Sequence, residues 1–232
     1  MPTVYLHPIG LDARLWRDIA GPDDVALNLP GFGGTPAPDG GPSFPALVEF
    51  ALRGLREPAD LVGVSLGSMV AQHAALLRPD MVRSVLLACG GAATDPETSR
   101  GRARAARETG MAGVLPSTLD RWFTPEALAA DGHPGVAYAR DRLLADDPEV
   151  FAAYWEMMAG HDLTEALRDV TVPATVLAAV DDLAAPVVAM KDLADRVPGA
   201  RFEVIAGPHI VPLENRAGFT DAVRRHLALV AT

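Results

Sequence analysis

This 232-residue sequence predicts a doubly wound α/β fold with a mainly parallel sheet of about six strands. Three observations lead there. Short apolar, β-rich runs alternate with helical patterns along the chain. Most of those runs lack the apolar–polar alternation of a half-exposed sheet, so their strands are expected to be buried on both faces. One long stretch between two of them carries helical patterns alone.

The expected strands cover residues 4–7, 25–29, 60–64, 84–88, 174–180 and 202–205. Helical patterns cover 44–56 before the third strand, 69–77 after it, and 186–196 and 217–229 near the end, an order that implies right-handed crossovers. From about residue 94 to 169 no strand pattern occurs, only helical segments over 99–109, 113–122, 136–145 and 148–158. The simplest reading is a helical cap at 93–168 inserted into a core formed by 1–92 and 169–232. That length suits one α/β domain with an inserted subdomain.

Composition narrows the function. Hydrophobic residues make up 49% and charged residues 22% of the chain, ordinary for a soluble globular protein. The net charge of −10 and pI of about 5.0 argue against nucleic acid or an anionic membrane surface as partner. Cys89 is the single cysteine, so an intrachain disulfide is ruled out and a reducing compartment fits. The opening MPTVYLHPIG has no basic region followed by an apolar stretch, and no run of roughly 18 apolar residues occurs. A cytoplasmic protein is the expectation.

The chemistry is carried by Gly63-Val64-Ser65-Leu66-Gly67, which falls where a predicted strand meets a predicted helix. In a Gly-x-Ser-x-Gly turn the serine sits at positive φ at the carboxyl edge of the sheet, and glycines are required where strand and helix pack too closely for a Cβ. The helix that follows turns its free N–H groups and positive dipole end toward an oxyanion. A serine hydroxyl needs a base to take its proton and a third group to orient that base. In this fold they follow in the order Ser, acid, His, in loops after later strands. One loop offers Asp181 and Asp182; the next, Ala206-Gly207-Pro208-His209, offers His209 as the base.

The chain resembles the α/β-hydrolase superfamily, and over nearly its whole length the branch containing 3-oxoadipate enol-lactonases. The stretches LHPIGLDARLW (6–16), LPGFGGT (29–35), GVSLGSM (63–69) and AGPHIVPLENRAGF (206–219) carry the resemblance, as does GMAGVLPSTLDRWFTPE (110–126) in the expected cap. It implies that Asp182, four residues before Pro186, is the acid, with Asp181 second. It implies backbone N–H groups of Ile9 and Leu66 as the oxyanion hole, although Pro8 stands where the family has glycine. His7 then reads as a second acid–base or substrate-contacting group, or, preferentially, as a residue bonded to the loop backbone. Trp16 and Trp122 are candidate substrate contacts, with core packing the commoner role. Arg14 matches an arginine of the enol-lactonase pattern and would pair with a substrate carboxylate, with Arg121 second. The superfamily's opening β-hairpin and part of the segment before the serine strand are missing from the pattern.

LPGFGGT lacks the Gly-Lys-Ser/Thr of a phosphate loop, and no His-Glu-x-x-His or paired-cysteine spacing suggests a metal; no cofactor is expected. Arg100, Arg102, Arg104 and Arg107 read as the solvated face of a helix. The implied function is hydrolysis of a small ester or lactone through an acyl-enzyme. Alternatives are carbon–carbon bond hydrolysis, a biosynthetic tailoring step, or ligand binding without catalysis.

Overall fold

The structure, a computed structural model, describes residues 2–230. Within them six strands form one parallel sheet: β1 (Thr3–Leu6), β2 (Val25–Leu27), β3 (Ala59–Val64), β4 (Val82–Ala88), β5 (Ala174–Ala179) and β6 (Arg201–Ile205), in the spatial order β2-β1-β3-β4-β5-β6. The predicted class is therefore observed. β1, β3 and β5 are buried at every position, whereas the edge strands β2 and β6 are partly exposed. The missing polar alternation follows from this: inner strands have both faces covered. Strand edges differ from expectation by one to two residues. β4, for example, begins at Val82 because its backbone already pairs with Ala59 there.

Around the sheet lie α1 (Phe44–Ala51), α2 (Leu66–Leu77), α7 (Val187–Arg196) and α9 (Arg216–Val230), with the short α8 (Val211–Glu214) before α9. α1 is shorter than the expected 44–56, since the chain turns through Gly54 at φ +80°. α2 begins at Leu66 rather than Met69, directly after the serine. Trp16 is fully buried between Tyr5 (ring centroids 5.3 Å apart) and Phe219 (5.9 Å), tying the 3₁₀ turn Ala13–Trp16 to β1 and α9. It belongs to the core, where a large fully buried aromatic contributes most.

Between β4 and β5 lie α3 (Pro96–Trp122), α4 (Pro125–Ala129), α5 (Pro134–Ala145) and α6 (Pro148–Met158). The two helices expected over 99–109 and 113–122 are the halves of α3, broken at Gly110 with φ 64° and ψ −178°. α4 and α8 escaped the sequence reading because four or five residues are too few for a periodicity to show. Each helix of the insertion begins with Pro in its first turn, where the missing N–H costs nothing. The insertion is tied to the core by side chains. Tyr154 donates to Pro30 O (2.6 Å), Thr124 Oγ1 to Glu214 (2.6 Å) and Tyr138 to Asp12 (2.9 Å). Among the described residues no helix is long and apolar enough to cross a membrane.

Candidate active site

Because all strands run the same way, their carboxyl ends share one edge, and the loops after β1, β3, β4, β5 and β6 meet there. Ser65 occupies the turn from β3 into α2 at φ 55° and ψ −116°. Such a left-handed conformation is costly for a residue with a Cβ and persists only where the surroundings impose it. Here the imposition is close packing. A Cβ on Gly63 would lie 2.2 Å from Gly67 O, and one on Gly67 would lie 2.0 Å from Leu6 O. Both flanking glycines are thus required by backbone, not by flexibility.

His209 Nε2 lies 3.0 Å from Ser65 Oγ, and its Nδ1 lies 2.9 Å from each carboxylate oxygen of Asp182. The three are buried, at 9% exposure for Ser65, 5% for His209 and 4% for Asp182. Asp182 Oδ1 also accepts from the N–H groups of Ala184 (2.7 Å) and Ala185 (2.9 Å). Burial alone would raise the Asp182 pKa. The His209 charge and hydrogen bond, with those two N–H groups, outweigh it and hold the carboxyl below its usual value. Asp181 is exposed and donates its backbone N–H to Gly207 O (2.9 Å). Of the two aspartates the loop offered, Asp182 is the one that meets His209. The arrangement lets the hydroxyl pass its proton to an imidazole whose tautomer is set by an ionised carboxylate.

Leu66 is the first residue of α2, where N–H groups lack an intrahelical acceptor. The approach of Gly67 to Leu6 brings this turn against the end of β1, next to the His7–Gly10 loop that contains Ile9. His7 is fully buried. Its Nδ1–H donates to Pro8 O (2.7 Å) and its Nε2 accepts from Leu29 N–H (2.9 Å). Burial drives its pKa down to about 4, so a neutral ring pins the loop. The backbone-bonded reading describes this geometry; the substrate-contacting one does not.

The other candidate contacts lie elsewhere. Trp16 is in the core, as described. Trp122 is 3% exposed, and its carbonyl accepts from Ile210 N–H (3.3 Å), joining α3 to the His209 loop. Arg14 pairs with Asp12 (3.0 Å), lies 5.3 Å from the Tyr138 ring centre, and faces a surface groove with Arg17, Asp18 and Arg216. It is drawn away because the buried Asp12 carboxylate, which also caps the 3₁₀ turn, is the nearer anion. Arg121 donates to Ser117 O (2.7 Å) within its own helix.

Ser65 and His209 open onto a cavity of about 190 Å³ whose far wall is made by the insertion: Thr98, Ser99, Arg102, Trp155 and Met158. Sequence reasoning missed Arg102, placing it on a solvated face with its neighbours. A signal was present. Arg102 stands three residues after Ser99 and four before Ala106, both buried, and so shares the inward stripe. Cys89, at φ 52° in the loop after β4, also lines the cavity. Burial and the adjacent Asp182 carboxylate push its thiol pKa up, leaving it protonated and unreactive.

A parallel sheet with a strained strand–helix serine, and a histidine and an aspartate in the loops that follow, defines a class of α/β hydrolases. The model of the Alpha/beta hydrolase family matches residues 3–222, and the chain belongs to that family. It is 26% identical over 166 residues to 3-oxoadipate enol-lactonase 2 of Acinetobacter baylyi, a match covering 71% of this chain and 62% of that enzyme. To a pimeloyl-[acyl-carrier protein] methyl ester esterase of Aromatoleum aromaticum it is 31% identical over 218 residues, 86% of each chain. The crystal structure of an enol-lactonase from Burkholderia xenovorans superposes with a TM-score of 0.91 at 26% identity, covering 98% of this chain and 91% of that one.

Proposed function

We propose that this protein is a serine hydrolase that cleaves the ester or lactone bond of a small organic substrate. The observation that carries the reading is the unbroken hydrogen-bonded chain Ser65–His209–Asp182 opening onto a cavity. Ser65 Oγ attacks the carbonyl carbon as His209 Nε2 takes the hydroxyl proton, and Asp182 stabilises the imidazolium. The N–H groups of Leu66 and Ile9 receive the oxyanion, each donor worth roughly 3 kcal/mol. Collapse expels the alkoxide, which takes the proton from His209. Water, deprotonated by the same histidine, then attacks the acyl-enzyme and releases the acid. The helices α3–α6 act as a cap that bounds the acyl site and excludes bulk water. The named activities of the relatives support this chemistry, since an enol-lactone and a methyl ester are both carboxylic esters. The cavity, smaller than the roughly 300–1,000 Å³ of drug-sized sites, favours a short acyl group.

A fluorophosphonate probe tests the nucleophile. Labelling at Ser65 alone, abolished together with ester hydrolysis in Ser65→Ala, is the expected result. An alanine variant with full activity would discard the assignment.

A further inference from the structure

The chain holds 30 Asp and Glu against 20 Lys and Arg, so a part-buried arginine without a carboxylate partner is unexpected. The arginines of α3 show the contrast. Arg107 is clamped by Glu149 and Glu156 of α6. Arg102, further back on the same helix, has no ion pair or hydrogen bond among the described residues. Its guanidinium carbon lies 4.5 Å from the centre of the Trp155 ring, and both residues line the Ser65 cavity. Burial lowers its pKa, yet guanidinium remains charged at neutral pH. Arg121 stands close enough for the Arg102 charge to be felt: burial first, then Arg102, brings its pKa down to about 10. Both arginines border one small space behind Trp155. Among the described residues the one carboxylate on the cavity wall, Asp95, is engaged as the cap of α3, accepting from Thr98 N–H (2.7 Å).

The geometry points to Arg102 as the specificity-determining residue of this site: it binds a carboxylate on the acyl portion of the substrate, remote from the bond that Ser65 cleaves. A desolvated cation is costly without a counter-ion, and the cavity is where one enters. The contact of the Arg102 guanidinium carbon with the Trp155 ring uses none of its N–H donors, which stay available for a carboxylate's two oxygens. One fork matches a monoanion, and the small cavity suits a short dicarboxylic monoester or a lactone bearing an acid. Arg14, fastened to Asp12 outside the cavity, takes no part.

This inference rests on the hydrolase reading, so its test includes a measurement that needs no turnover. The 4-nitrophenyl monoester of glutaric acid and neutral 4-nitrophenyl butyrate are compared by kcat/KM. In Arg102→Gln the ratio of the two should fall at least tenfold, with partial recovery in Arg102→Lys and no change beyond about twofold in Arg14→Gln. Glutarate, the acid released from the first ester, should bind Ser65→Ala in calorimetry and bind Ser65→Ala/Arg102→Gln at least tenfold more weakly, both proteins having cooperative melts. An unchanged ratio, equal glutarate binding to the two proteins, or none to Ser65→Ala would overturn the assignment. If neither ester is cleaved and Ser65 resists the probe while glutarate binding still depends on Arg102, the hydrolase reading falls and the carboxylate site stands.

Discussion

At the scale of single residues, the site rests on side chains whose surroundings leave them one role. Asp182 is held ionised by His209 and two backbone N–H groups, whereas its neighbour Asp181 is exposed. The two isosteric changes should therefore separate cleanly. Asp182→Asn should lower kcat by about three to four orders of magnitude, because an amide no longer sets the tautomer of His209. Asp181→Asn should change kcat less than about threefold. Steady-state kinetics on one activated ester decides; the reverse pattern would move the acid to Asp181. His7 illustrates how little residue type says by itself. Chemically it matches His209, but with Pro8 O on one nitrogen and Leu29 N–H on the other it has no free position for a proton in transit.

Among the elements, the contact of α2 with β1 matters most. Gly67 sets the distance between the helix carrying Leu66 and the strand leading to Ile9, because its Cα lies against the Leu6 carbonyl. Gly67→Ala must push these elements apart, since the new Cβ would meet Leu6 O at 2.0 Å. A displacement near 1 Å at a reacting centre costs about a hundredfold. The variant should melt at a lower temperature and react with the fluorophosphonate at least tenfold more slowly than wild type. Wild-type labelling would show that the N–H groups of Leu66 and Ile9, the proposed oxyanion donors, are not spaced by this contact. Gly63 and Gly67 are alike in sequence but answer to different neighbours: Gly63 meets the turn itself, Gly67 the adjacent strand.

For the molecule as a whole, buried neutral histidines govern the response to acid. Burial brings the pKa values of His7, His73 and His226 down to about 4. His226 bridges Ser84 (3.0 Å) and Thr175 (2.9 Å) beneath α9, and His73 stacks on Phe44 at 4.0 Å. A pKa lowered on folding means that the unfolded chain binds protons first. The stability involved is present above about pH 6.5 and lost as pH falls toward 4. Asp146 acts in the opposite sense. Burial raises its pKa to about 7 against the attraction of Arg142, so its contribution is lost as pH rises through 7. The pKa of His161, buried beside His73, is lowered by burial as well. With four histidines against one aspartate, the urea midpoint should fall between pH 6.5 and 4, and His73→Gln should flatten that fall. An unchanged midpoint across the interval would contradict the neutral-histidine account.

The sequence by itself determined what depends on local chemistry and chain order. Buried strands lose their polar alternation, Gly63 and Gly67 bracket a serine where strand becomes helix, and His209 follows the last strand. These features are written within a few residues of one another, and parallel strand order then brings their loops to one edge. It did not determine where long side chains end. Arg14 and Arg102 are both arginines near the site, and neither's i±4 neighbours reveal its partner. Tertiary packing decided: Asp12, buried by Tyr138 and Arg142 of α5, captures Arg14, while the packing of α3 against α6 sets Arg102 against Trp155, with no ion pair among the described residues. Arg14 finds its partner two residues away, but what buries Asp12 and what sets Arg102 against Trp155 are contacts between residues distant in sequence, and only the folded chain brings those together.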